Sequence, residues 1–178
     1  MSILKLNSSF FAGDDLNIPN ISSNGVGLSG ALSQGNLDKL NRLIEKKEPE
    51  FLKKVLGNDL YLLFKDGMSV TDPATVEPRW TMLASYLVKP ETKESAFANF
   101  VWWNWSRSNA SSTTGNGEAI ATKENAKSVS PIDHQVGVWN EMVSMLEDLR
   151  SFVQLNSTLY PGYLPDEDVY TDQNTFNF

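Results

Sequence analysis

A chain of 178 residues with 40% hydrophobic and 21% charged side chains holds enough apolar surface to bury one core, which excludes a disordered chain and sets one domain as the expectation. It has no cysteine, so disulfides, thiolate metal ligation and a cysteine nucleophile are excluded together. A net charge of -7 and an isoelectric point of about 4.7 set the molecule as a whole against polyanions, which favours protein partners over nucleic acid or anionic membrane.

The N-terminus, MSILKLNSSFFAGDD, has one lysine, early acids and no long apolar run, so a signal peptide is not expected. Residues 1–35 mix isolated apolar residues with Asn, Ser and Gly without a sustained period, which predicts an extended N-terminal arm. Asn36 has N-cap character, and Leu37, Leu40, Leu43 and Ile44 then recur at three- and four-residue spacing as a first helix. Glu48-Pro49-Glu50 suits the first turn of a second helix, where proline loses no hydrogen bond and acids face the positive end of the dipole. Its stripe of Phe51, Leu52, Val55, Leu56, Leu60, Leu63 and Phe64 is interrupted at Gly57-Asn58, the mark of a kink or a close contact.

Residues 66–78 read as a loop, and Trp80, Leu83, Ala84 and Leu87 predict a third helix from near Pro78. It must stop near Lys89, because Pro90 disfavours helical geometry in the residue before it. A fourth helix is expected from Glu91, with Phe97, Val101 and Trp105 on one line and Phe100 and Trp103 beside it. The polar run SNASSTTGNGE is a loop or hairpin turn, and residues 119–130 are the place for a short strand. Pro131 opens the fifth helix, where Ile132, Val136, Trp139, Val143, Leu146 and Val153 recur with Met142 and Leu149 alongside. Residues 157–178, with Pro161, Gly162 and Pro165, predict an extended acidic and aromatic tail. The expected fold is mainly α: a single helical-bundle domain of four to five helices over residues 36–156, with a small β element and extended N- and C-terminal arms. No run reaches the roughly 18 to 20 apolar residues of a membrane helix, so no membrane is expected.

Chemistry is harder to find. His134 is the only histidine. It stands beside Asp133, with Gly137 and Val138 where a second helical ligand would sit, so no metal site is expected. The serines lack a GxSxG context, the paired acids are adjacent in sequence where side chains diverge, and Gly115-Asn116-Gly117 lacks the strand, helix and lysine of a phosphate loop. Neither a cofactor nor a catalytic residue is expected, and the reading is of a protein that is not an enzyme.

Two sets of aromatic residues call for another use. Trp102, Trp103 and Trp105 point about 100° apart per residue on a helix, so one core is not expected to bury all three, and intersubunit contact is the expected use of the remainder. Stacking on nucleobases would need a basic groove, yet only Arg107 is near and the other cations are spread between Lys5 and Arg150. In the tail, Tyr160, Tyr163, Tyr170, Phe176 and Phe178 are expected to anchor in a neighbouring subunit, with Asp166, Glu167 and Asp168 pairing with its basic residues.

The runs EPEFLKKVLGNDLYLLFKD, FANFVWWNWSRSNASSTTGNGEAIATKENAKSVS and VWNEMVSMLEDLRSFV resemble small head-to-tail connector proteins of tailed bacteriophages of gut Bacteroidetes, ring proteins of crAss-like phages among them. The resemblance rests on Leu56, Gly57, Leu60 and Tyr61, on the aromatic helix leading into a Thr/Gly-rich turn, and on the tryptophan-bearing last helix. It implies a structural virion protein: a helical adaptor repeated around the portal, commonly in twelve copies, that continues the DNA channel toward the tail. The implied partners are copies of itself, the portal protein and neighbouring tail or connector proteins, with DNA passing nearby without specific binding. The implied location is the head-tail connector region of the virion, and the host cytoplasm during assembly. The family carries no catalytic residues to transfer. The alternative is a phage tail-completion or assembly-chaperone protein that binds one partner transiently.

Overall fold

The computed structural model describes residues 3–19, 21, 28–70, 72–110, 112–114, 117–119 and 131–174. Among them are five α-helices: α1 (Leu28–Leu56), α2 (Asn58–Met68), α3 (Pro78–Leu87), α4 (Ala96–Ala110) and α5 (Pro131–Leu155). The architecture is mainly helical, a bundle, as the periodicity predicts. Two three-residue strands, β1 (Ser112–Thr114) and β2 (Gly117–Ala119), pair antiparallel with Ser112 opposite Ala119 and add no layer to the bundle. Of residues 119–130, where the sequence places a strand, all but Ala119 lie outside the described residues.

The centre of the bundle is α4, buried on every side from Ala96 to Trp102. Phe97 and Phe100 pack on Phe51 of α1, each with ring centroids 5.2 Å apart. On another side, Asn99 donates to the Val138 carbonyl of α5 at 3.2 Å, and Trp103 packs on Trp139 at 4.7 Å. The helix starts at Ala96 rather than Glu91 because Ser95 caps it. Its hydroxyl accepts the Ala98 N–H at 3.0 Å and donates to the Leu87 carbonyl at 2.9 Å, tying the start of α4 to the end of α3. Between them the chain reverses through an isolated bridge of Lys89 with Glu94. Pro78 opens α3 as expected, and Gly67 of α2 leaves the space that the Trp80 indole fills.

Three features differ from the sequence-based expectation. First, α1 is one helix that starts at Leu28, not at Asn36, and runs through Pro49 without a break. A proline inside a helix costs one hydrogen bond and a local clash, but here Ile44, Glu48, Phe51, Leu52 and Val55 form one buried stripe across it. That continuous burial outweighs the local penalty.

Second, residues 3–19 and Ile21 are not an extended arm. Leu4, Leu6, Phe10, Phe11, Ile18 and Ile21 are buried in the core, each contributing roughly 1.5–3 kcal/mol when fully taken from water. The buried Glu48 carboxylate holds the segment, accepting the Ile3 N–H at 3.0 Å and the Leu4 N–H at 2.8 Å. Short 3₁₀ turns at Ser8–Phe11 and Asp14–Leu16 break any helical or strand period, so the apolar residues look isolated in sequence.

Third, the segment after α5 folds back across the bundle instead of extending from it. Where α1 ends, Gly57 turns at φ +81°, and a side chain at that position would collide with the Leu164 backbone. The last four carbonyls of α1 have no partner within the helix, and each finds one at this crossing. Lys53 accepts from Gly57 N–H (3.0 Å), Lys54 from Asp166 N–H (2.7 Å), Val55 from the Tyr170 hydroxyl (3.2 Å) and Leu56 from Leu164 N–H (3.3 Å). On α5 the residues Val138, Trp139, Met142, Val143, Leu146, Leu149 and Val153 are buried. At its start Ile132 is exposed and Gln135 takes the buried side, so the stripe begins one turn later than expected.

Leu146→Ala removes a side chain with no exposure and is expected to cost about 2–5 kcal/mol by urea unfolding; a loss below about 0.5 kcal/mol would show that α5 presents another face to the core. Truncation after Asn156 is expected to abolish the cooperative thermal transition, because it leaves the α1 carbonyls of Lys54, Val55 and Leu56 without their partners. An unchanged melting curve would show that the returning segment adds nothing to the fold.

Candidate subunit-contact surfaces

The tryptophans of α4 do not form one exposed face. Trp102 is buried and packs on the His134 ring at 4.6 Å. Trp103 and Trp105 are half-buried against the core, and the Arg107 guanidinium lies over Trp103 at 4.6 Å. The reason is that α1 and α5 cover α4 from two sides, so side chains pointing in divergent directions all meet protein.

The aromatic anchors of the tail grip their own domain, a correction to the expected use in a neighbour. Tyr160 is 1% exposed, packs between Trp80 and Phe152, and donates to the Arg79 carbonyl at 2.9 Å. Tyr163 and Tyr170 share a hydrogen bond of 2.9 Å. Since the Tyr170 hydroxyl donates to the Val55 carbonyl, Tyr163 is the donor to Tyr170. The Arg150 guanidinium covers the Tyr170 ring at 3.9 Å and pairs with Glu167 at 2.7 Å. Asp166 pairs with Lys54 at 3.0 Å and accepts the Asp168 N–H at 3.1 Å, while the Asp168 side chain stays exposed. Asp166 and Glu167 thus find cations within the chain. Phe176 and Phe178 lie outside the described residues.

Burial raises the Tyr170 hydroxyl far above the ordinary tyrosine range and raises Tyr160 and Tyr163 in the same direction. The hydrogen bond from Lys54 holds the Asp166 carboxyl below its usual value.

What stands free is a set of leucines and a methionine that the sequence reading passes over. Leu155 is 86% exposed and Leu164 80%, with Leu159 and Met82 about half exposed. The turn over residues 156–164 relates them. It leaves the end of α5, meets α3 where Arg79 donates to the Leu159 carbonyl at 3.1 Å, and reaches the α1–α2 junction where Leu164 donates to Leu56. One signal was available in the sequence. Leu155 follows Val153 by two residues and so falls about 200° round the helix from the buried stripe.

Among the described residues, no three His, Asp or Glu side chains are grouped to hold a metal ion, and none of the helices is long and apolar enough to cross a membrane. Surface depressions of about 140, 170 and 370 Å³ are open to solvent, the last lined by Val153, Tyr160, Pro161 and Tyr163. The exposed set beside that depression is suited to van der Waals contact with another protein.

The tyrosine shifts set a sign for alkaline stability. Unfolded tyrosine ionises near about pH 10, whereas Tyr160, Tyr163 and Tyr170 hold their protons more tightly when folded. Stability present below about pH 10 is therefore lost as pH rises above it. Tyrosinate absorbance is expected to reach its full value only together with loss of the helical circular dichroism signal. Complete ionisation with the helices intact would place these hydroxyls in water.

No protein-family model, curated protein or solved structure matches the chain.

Proposed function

We propose that this chain is a structural virion protein, one subunit of an oligomeric head-to-tail connector ring that extends the DNA channel between the portal and the tail of a tailed phage. The sequence resemblance over residues 48 to about 155 supplies the class. The observation that supports it in the structure is the exposure of Leu155 and Leu164, about four-fifths in water, with Met82 and Leu159 about half exposed, on a bundle that buries most of its described aromatic residues. Large apolar side chains left in water on a well-packed domain mark a surface that another protein covers. In this reading the partners are further copies of the chain, the portal and neighbouring connector or tail proteins, and DNA passes without specific contacts.

A Leu155→Asp, Leu164→Asp double variant is expected to keep the stability of the isolated chain within about 0.5 kcal/mol, as exposed positions do. It is also expected to lose at least tenfold in incorporation into phage particles. Electron microscopy of wild-type particles is expected to show the chain as a ring at the portal vertex. A chain present in precursor particles and missing from finished ones would assign the transient chaperone or tail-completion role instead. A chain that neither enters particles nor binds the portal overturns the proposal.

A further inference from the structure

Because α1 is unbroken, it gathers cations that look scattered in the sequence. Lys39, Arg42, Lys46 and Lys53 are exposed, and at about 100° and 1.5 Å per residue they fall within an arc of about 60° along about 21 Å of helix. Among the described residues, Lys39, Arg42 and Lys46 make no ion pair, while Lys53 lies over the Tyr61 ring at 5.6 Å. Glu50, at the edge of the row, is taken up by Lys47 at 2.8 Å. With exposed Glu45 beside it and Lys53 partly engaged by Tyr61, this row of positive side chains still stands out on a molecule of net charge -7.

The complement lies on the same molecule. Asp133, Glu141, Glu147 and Asp148 are exposed on α5, and they fall within an arc of about 120° along about 22 Å, on the side of the helix away from its buried stripe. The basic residues of α5 are limited to Arg150, which already serves Glu147 and Glu167, and Glu141 keeps one contact inward, accepting from Asn99 at 3.0 Å. The bundle also fixes how the two rows are disposed. Phe97 and Phe100 of α4 face α1 while Asn99 and Trp103 face α5, so α1 and α5 cover different sides of α4, about 110° apart around its axis, and their charged residues are exposed.

We infer that the basic face of α1 docks on the acidic face of α5 in the next copy of this chain. Two different, complementary patches on one subunit make a heterologous contact, which repeats from copy to copy and closes into a ring or continues as a filament. The interaction deepens the proposed ring function and rests on it only for the meaning of the assembly, since self-association is measured without a portal. Like-charged alternatives, α1 on α1 or α5 on α5, are repelled, so the same charges that attract also set direction. A contact of this size carried by exposed charges is weak at physiological salt. It therefore suits subunits that gather on a template at high local concentration.

The 178-residue chain is examined by sedimentation velocity at about 20 mM and about 300 mM salt, together with two charge-reversed variants, Arg42→Glu with Lys46→Glu, and Asp133→Lys with Asp148→Lys. Wild type is expected to self-associate at the lower salt, with affinity falling at least tenfold at the higher. Each variant alone is expected to remain monomeric, and an equimolar mixture of the two to associate again, because each then offers the face the other lacks. Should a double variant melt below wild type, the single pair Lys46→Glu and Asp148→Lys replaces it. Wild type that stays monomeric at low salt, variants that associate as wild type does, or a mixture that stays monomeric overturns the inference. Binding of short duplex DNA that is lost only in the α1 variant would also overturn it, by assigning the basic row to phosphates. Loss of particle incorporation with self-association intact would count against the connector reading alone.

Discussion

At the end of α1 the chain stops being helical inside the protein rather than at its surface: Val55 and Leu56 have no exposure, and Gly57 is buried as well. A helix end in that position leaves carbonyls that water cannot reach, and an unmet buried acceptor costs on the order of 1–3 kcal/mol. The structure meets this constraint from far along the chain, bringing residues 164–170 back to donate to Lys54, Val55 and Leu56. Much else follows from that crossing. Gly57 must be glycine for the backbone of Leu164 to approach. Tyr170 sits where its hydroxyl reaches Val55 and its ring lies under Arg150, and the turn over residues 156–164 is laid against α3 and α2.

The described residues before α1 and after α5 therefore belong to the folded body. The N-terminal segment is pinned through Glu48, a buried acid whose oxygens receive two backbone donors, and the C-terminal segment is pinned through the α1 carbonyls. A buried charge without partners would be costly, so Glu48 and residues 3–4 are mutually dependent. In the proposed connector, contacts with other chains fall to surfaces the body leaves exposed: the charged faces of α1 and α5, and the leucines at Leu155 and Leu164.

The two kinds of surface differ physically. The exposed leucines offer affinity through removal of surface from water, little affected by salt. The charged faces offer direction and partner choice, strongly affected by salt. A ring subunit has use for both, one to seat on a neighbour along the axis and one to order copies around it, and the proposed assignment divides them in that way.

The amino-acid sequence by itself determined the helical class and the cores of α3 and α5, because a helix writes its buried face locally, every three or four residues. Trp139, Val143, Leu146 and Val153 are buried as that period requires, and the break at Gly57-Asn58 was visible as a glycine in an apolar stripe. The tertiary structure alone decided the continuity of α1 through Pro49, the burial of the apolar residues from Leu4 to Ile21, and the use of Tyr160 and Tyr170 inside the domain. Each of these turns on a partner remote in sequence: Glu48 lies 44 residues from Leu4, and Val55 lies 115 from Tyr170. The alignment of Lys39, Arg42, Lys46 and Lys53 was hidden for the same reason. A helix read as broken at Glu48 scatters those cations, and what keeps it whole is the stripe from Ile44 to Val55 finding protein to bury against, a free-energy gain that no local pattern records.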